Sequence, residues 1–342
     1  MLHVRLKGIP RERGRQHGEA LRADIRNVLD TWIAPFARKP ASPEVPAMRR
    51  FLEKNFPRIV EEIQGIGEGA GIPPEQAFLL NVFNSCPAFL FDPGCTSLAI
   101  RGTKGGFLVG KTQDTGPEEA LFQTVIEAED EHGRRAAYVG LAGTVWVVAG
   151  VNDRGLAVGC NSAPPPASTI TGHGLPQHMG YYPVLWECAD VPDAVHLLER
   201  NPFTGKGINA ILADARGEAA AVEKVDGWQA VVRSRERTLW LANFYRSPSL
   251  SPLNDPTLSW AESTRDRERH LARRVGDLAV ENPESFLVDL FAERGFPGCL
   301  CQDIPERGLV TYYGFLMDPK ARTLSVSDGR PDGKKYTTYA AK

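Results

Sequence analysis

Asp92-Pro93-Gly94-Cys95-Thr96-Ser97 places a cysteine after a glycine, at the end of a turn and at the head of a strand. Two readings are open. Cys95 can be a buried thiol that fills core. It can also be where the chain cuts itself, becoming a new N-terminus that carries a thiol nucleophile and, in its freed α-amino group, its own base. Such an amine has an ordinary pKa of about 7.7–8.0, suited to proton transfer near neutrality. The cut would run through an intramolecular N-to-S acyl shift, and Gly94 suits it because a residue without Cβ tolerates a strained scissile bond. Further groups must orient the amine and hold an oxyanion; carboxylates, Asn side chains and Arg can do so.

Other reactive patterns are weaker. Cys299 and Cys301 form a Cys-x-Cys, but zinc wants two more ligands at suitable spacing and none stands out. His173 and His178 sit in a Gly/Pro-rich loop, where they could meet substrate or metal or simply be loop residues. A papain-like Cys/His pair needs an oriented His, and the seven scattered histidines leave that open.

The elements that must position these groups follow from periodicity. Residues 1–94 read as mostly helical. Leu21, Ile25, Val28, Leu29 and Trp32 recur at helical spacing, a Pro-rich stretch over 35–46 interrupts, and helices follow over 48–69 and from Pro73-Pro74-Glu75 onward. Gly14 and Gly18 lie on one helix face, where another backbone can come close, and His17 beside them reads as a structural, hydrogen-bonded docking residue. After Cys95 the texture turns to strands, over 97–101 and 107–111 as a hairpin, then 122–128, 136–140, 145–151 and 156–161. A long loop over 162–180 precedes helices over 181–188 and 192–200, the latter capped by Asp190. Strands over 209–214, 218–224, 229–233 and 239–243 precede helices over 263–278 and 283–293, and strands over 310–317 and 323–328 close the chain. Runs of strands with helices between them, without βαβ alternation, predict an α+β fold with antiparallel sheets covered by helices.

Composition narrows the class. The 342 residues allow one large domain or two, and 42% apolar with 24% charged residues is ordinary for a globular chain. A net charge of −2 gives no general reason to expect nucleic acid or an anionic membrane. Most of the arginine cluster over 265–274 reads as a solvated helix face. No apolar run nears the ~20 residues of a membrane span, the N-terminus lacks a signal-peptide core, and cytoplasmic location is the default expectation. Six cysteines imply no disulfide framework.

Taken in order, the motifs resemble the acyl-coenzyme A:6-aminopenicillanic acid acyltransferase family, a branch of the N-terminal nucleophile hydrolases related to choloylglycine hydrolases. The opening stretch from Gly8 to Gly18 is similar to "G-x-P-x-E-x-G-x-Q-H-G", and Glu61 to Ala70 to "EEIxGIAxGA". Leu80-Asn81 resembles the segment ahead of the cut, Asp92 to Ser97 the cut site "DGCTT", Val109 to Asp114 "G-x-N-x-D", and Gly150 to Ala163 "G-x-N-x-x-G-x-A-V-x-x-N". The resemblance spans nearly the whole chain. It implies a four-layer αββα sandwich of two antiparallel sheets, with 1–94 a helical pro-segment and 95–342 the catalytic part. It implies Cys95 as nucleophile, Gly94 on the acyl side of the cut, Asp114 orienting the amine, and Asn161 and Asn243 at the oxyanion site. It also implies an Arg after a Ser or Thr, for which Arg267 is preferred over Arg265. Thr96 and His173 are candidate substrate contacts.

The expected substrate is a small-molecule amide or acyl-thioester, hydrolysed or passed to an amine. No cofactor, metal, nucleic acid or membrane is expected, and a homo-oligomer is admitted because dimers are common. Gln302 follows Cys301 where the family often has Arg, and Thr115-Gly116-Pro117 replaces the family's aromatics, so a penicillin substrate is not implied. The alternative is a non-catalytic or uncleaved member that binds an amide or peptide ligand in the same cleft.

Overall fold

The computed structural model describes residues 1–34, 43–86, 94–164, 170–276, 278–307 and 309–342. Asp92, Pro93, most of the Pro-rich stretch and 165–169 of the long loop lie outside the described residues.

Two large sheets face each other. The first runs in the order β1 (Leu2–Gly8), β4 (Gln123–Asp130), β5 (Arg135–Leu141), β6 (Ala149–Asn152), β7 (Leu156–Ser162), β8 (Ile208–Asp214), β9 (Ala219–Val225), β10 (Trp228–Ser234). The second runs β11 (Leu239–Leu241), β2 (Gly94–Gly102), β3 (Phe107–Thr115), β12 (Leu309–Asp318), β13 (Thr323–Ser327), β14 (Tyr336–Ala340), with two-residue strands added to β2 and β12. Pairing is antiparallel except for β1 beside β4 and the short strand Ala279–Val280 beside β2.

Period-two alternation makes the layers. Ala99 and Val109 point toward Val139, Val151 and Ile211 of the other sheet and form the middle core. Leu98, Ile100 and Leu108 point outward against Leu271 of α9 (Ala261–Arg274) and Leu287, Leu290 and Phe291 of α10 (Pro283–Ala292). The outer face of the first sheet meets helices α1 (Pro10–Ala20), α2 (Arg22–Val28), α4 (Pro57–Ala70), α5 (Pro74–Val82), α7 (Tyr182–Glu187) and α8 (Val191–Arg200). This is the αββα sandwich expected from the sequence. Asp190 caps α8 by accepting from the Asp193 N–H.

Three of the differences from the sequence reading have a plain local cause or bear on the layers. The N-terminal segment is not all helix: Leu2, Val4 and Leu6 alternate with polar residues and lay β1 along β4. The expected helix over 48–69 is two helices, α3 (Glu44–Asn55) and α4, because Pro57 cannot continue the first. The Tyr/Thr-rich strand β14 was not anticipated.

Gly14 and Gly18 do seat a neighbouring backbone. A Cβ on Gly14 would stand 2.0 Å from the Glu62 carbonyl oxygen, and one on Gly18 2.3 Å from that of Ile66. Gly65 and Gly69 of α4 answer them, each 2.1 Å from an α1 carbonyl oxygen. His17 leaves this interface to accept a hydrogen bond at Nε2 from the Gly143 N–H (3.0 Å), docking α1 on the β5–β6 connection.

Candidate active site

The β2–β3 register builds the site. Cys95 stands opposite Gln113, and Gly94 opposite Asp114. Alternation therefore sends the two rows to different layers. Cys95, Ser97, Lys111 and Gln113 face the other sheet; Gly94, Thr96, Thr112 and Asp114 face the helices. Asp114 and the residues that meet it thus lie on the opposite side of the strand pair from the thiol, while Lys111 shares the thiol's side.

On the helical side, Arg267 of α9 is fully buried. It donates through Nη1 to the Cys95 carbonyl (2.5 Å) and the Thr96 hydroxyl (2.7 Å). Through Nη2 it reaches Asn243 Oδ1 (2.9 Å) and Thr264 Oγ1 (3.2 Å). Asn243 Oδ1 also accepts the Cys95 backbone N–H (2.9 Å), so one amide oxygen ties the cysteine nitrogen to the guanidinium. Asn243 Nδ2 donates to the Ser162 carbonyl (2.8 Å). Burial lowers the Arg267 pKa, opposed by the charges of Asp114 and Cys95.

Asp114 is buried beneath Gly94. It accepts from Thr311 Oγ1 (2.6 Å) and from Gln302 Nε2. Gln302 Oε1 in turn accepts from Ser263 Oγ, which accepts from Arg267 Nε (3.3 Å). A relay of neutral groups thus joins the carboxylate to the arginine. Burial raises the Asp114 pKa, against the opposing pull of Arg267, Thr311, Gln302 and Lys111. A Cβ on Gly94 would lie 2.7 Å from Leu309 Cδ2 and 3.1 Å from Asp114 Cβ and Oδ2, so only glycine leaves this carboxylate in place.

On the inner side, the Cys95 thiol lies 3.7 Å from Gln113 Oε1, which also accepts from Lys111 Nζ (2.5 Å). Asn161 of β7 donates to Ser97 Oγ (2.7 Å) and the Leu241 carbonyl (3.0 Å), pinning the two sheets together one residue pair beyond the thiol. Its Oδ1 is buried without a partner. Cys95, Gln113 and Asp114 open onto a pocket of about 60 Å³, walled by Trp32, Phe83 and Trp146.

The structure therefore gathers Cys95, Asp114, Asn243, Arg267 and Thr96 around one strand end, with Asn161 close behind. It separates Arg265, an exposed residue above the Phe244 ring (5.7 Å). Thr96 is shut in with Arg267 and does not line the pocket. His173 is exposed and away from the pocket; His178 lines it instead. Gln113, Lys111, Gln302 and Thr311 were missed. For Lys111 and Gln113 the available signal was polar residues at inward positions of an otherwise apolar strand; Gln302 lies outside the strands. The late Gln in place of Arg is the residue that holds Asp114.

Two facing sheets between helical layers, with a thiol opening a strand at their edge, define the N-terminal nucleophile hydrolase class. The family model for acyl-coenzyme A:6-aminopenicillanic acid acyl-transferase matches residues 101–330. The 40 kDa form of acyl-coenzyme A:6-aminopenicillanic-acid-acyltransferase from Emericella nidulans is 30% identical over 98% of this chain and 95% of its own length. The chain belongs to that family. Among solved structures, penicillin V acylase from Agrobacterium tumefaciens is 18% identical, covering 68% of this chain and 82% of its own, with a TM-score of 0.44. The Caenorhabditis elegans ortholog of N-acylethanolamine-hydrolyzing acid amidase is 15% identical, covering 66% and 93%, with a TM-score of 0.47. No helix among the described residues is long and apolar enough to cross a membrane.

Proposed function

We propose that this chain is a self-cleaving cysteine hydrolase or acyltransferase acting on small amides or acyl-thioesters through an acyl-Cys95 intermediate. The observation that carries the reading is the hold on both ends of the Cys95 backbone. Asn243 takes its N–H and Arg267 its carbonyl, while the thiol opens onto the pocket.

Self-cleavage starts with attack of Cys95 Sγ on the Gly94 carbonyl carbon. The Gly94–Cys95 C–N bond breaks, its nitrogen takes a proton, and water hydrolyses the resulting thioester. The products are a Gly94 carboxylate and a Cys95 amine, in fragments 1–94 and 95–342 that stay packed together. In turnover that amine takes the thiol proton as sulfur attacks the substrate acyl carbon, and returns it to the leaving group. Water then releases an acid, or an amine takes the acyl group. In this reading Asn243 and Arg267 hold the Cys95 backbone beside the oxyanion site, and Asp114 orients the freed amine. Asn161 supports the strand pair.

The test is intact mass of the purified protein. Wild type is expected as two fragments split at Gly94–Cys95, and Cys95→Ala as full-length chain only. A wild-type chain that stays whole for days and inert to a thiol-reactive acyl probe overturns the reading, as does a Cys95→Ala chain that still splits there.

A further inference from the structure

The pocket that holds the Cys95 thiol contains polar atoms that the chain leaves unused. Gln123, at the head of β4 and 1% exposed, makes no hydrogen bond of ordinary geometry through Oε1 or Nε2. Asn84 Oδ1, on a residue 4% exposed, and His178 Nδ1 are likewise buried and unpaired. All three residues line the pocket. Unpaired buried polar groups carry a free-energy penalty that a ligand can relieve.

Their chemistry points to a type of ligand. The charged lining is engaged within the chain: Glu119 accepts from the Thr115 hydroxyl, and burial raises its pKa against the pull of that bond and of Lys206 and Lys111. Burial keeps the His178 imidazole neutral, pulling its pKa down to about 3. What remains is neutral, two amide oxygens and one imidazole nitrogen, the Gln123 amide N–H having the Glu119 carboxyl beside it. Beside them runs a ladder of rings. Phe83 lies 6.0 Å from Trp32 and 5.4 Å from Trp146, and Trp146 lies 5.4 Å from His178.

Building on the acyl-Cys95 reading, we infer that the acyl group this pocket accepts is flat and carries a neutral hydrogen-bonding head. That head has at least one O–H or N–H donor, and Gln123, Asn84 and His178 receive it. An acyl group ending in hydrocarbon would bury these atoms still unpaired and react more slowly.

The test uses the full-length gene product and two coumarin amides of nearly equal shape, the 4-hydroxyphenylacetyl and 4-methylphenylacetyl derivatives. Wild type is expected to favour the hydroxyl compound by roughly 10- to 100-fold in kcat/KM. Gln123→Leu is expected to bring that ratio near unity, and Asn84→Leu to lower it independently should the first variant fail to fold. A wild type that handles both acyl groups equally, or prefers the methyl compound, overturns the inference, as does a ratio unchanged in the folded variants. Mass spectrometry separates this failure from that of the underlying reading. Both acyl groups forming on Cys95 at equal rates sinks only the polar head. Neither forming on Cys95 removes the acyl-enzyme, and this inference falls with it.

Discussion

Arg13 and Arg267 are both shut away from solvent, yet they are held in opposite ways. Arg13, between α1 and the first sheet's helices, meets the Glu62 carboxylate at 2.6 Å, the Gly8 carbonyl at 2.8 Å and the Tyr182 hydroxyl at 3.2 Å, with Trp186 stacked beside it. Burial alone would depress its pKa, but Tyr182 and Glu62 override that and raise it. Arg267 donates to a backbone carbonyl, hydroxyls and an amide oxygen, and its pKa falls with burial. One positive charge is neutralised where it stands. The other reaches its carboxylate, Asp114, through Ser263 and Gln302, so its field falls on the strand end that carries Cys95. A buried cation without a direct counterion is costly to maintain, and such arrangements concentrate where charge must be stabilised during reaction.

Exchanging the two sites is the sharpest way to break this contrast. Arg267→Met should abolish fragment formation and lower Cys95 acylation by about 100-fold or more, the scale of losing a preorganised oxyanion donor. Arg267→Lys should not restore it, because one ammonium cannot span Cys95, Thr96 and Asn243 together. Arg13→Met should instead leave Glu62 buried without a counterion, held only by the Tyr182 hydroxyl, and destabilise the fold by about 3–5 kcal/mol, read from denaturant midpoints. Self-cleavage in whatever folds should persist. If Arg13→Met blocks cleavage in folded protein, or Arg267→Met costs stability alone, the division of labour is wrong.

The glycines repeat the contrast at smaller scale. Gly14→Ala drives a methyl to 2.0 Å from the Glu62 carbonyl oxygen, against rigid backbone. The loss expected is about 1–3 kcal/mol of stability, the ordinary range for overpacking, with α1 pushed off α4. Gly94→Ala meets Leu309 and Asp114 side chains, which can move, so its stability should change less. Its effect should show as slower appearance of the 95–342 fragment on a mass time course. Gln302→Leu should slow the same step by roughly tenfold by leaving Asp114 one donor short, while Gln302→Glu, adding a second carboxylate, should slow it more.

What could be read from the sequence follows how local each signal is. The Gly14/Gly18 face, the Asp190 cap and the β2–β3 hairpin are encoded within a few residues and appear as expected. Arg267 could be narrowed only to one of two arginines on one helix. Which faces inward depends on where α9 lies against β2, a relation no local pattern carries. Gln302 was noticed as a departure from the family and given no role, because its partner Asp114 is 188 positions away. β1 was missed for a different reason. Its alternation is legible, but a single strand ahead of several helices looks like fraying until β4 supplies the partner.

The last prediction separates the two halves by pH. His17, docked on the Gly143 N–H, has its pKa lowered by burial to about 4 from an ordinary 6.5. Its contribution to stability is therefore full above pH 6.5 and lost as pH falls toward 4, up to about 3 kcal/mol. Glu268 follows Arg267 on α9. Burial raises its pKa to about 7 from 4.5, Arg246 and Arg267 opposing and the Glu223 charge adding to the rise. The sign reverses. Its contribution is full below pH 4.5 and is lost as pH climbs through 7, and being only partly buried its effect should be the smaller. Denaturant midpoints taken from pH 4 to 8.5 should show His17→Gln flattening the acid limb and Glu268→Gln the alkaline limb. If Glu268→Gln moves the acid limb instead, the carboxyl is held ionised by its arginines, and the α9 side of the site resembles the Arg13 pair more than it differs from it.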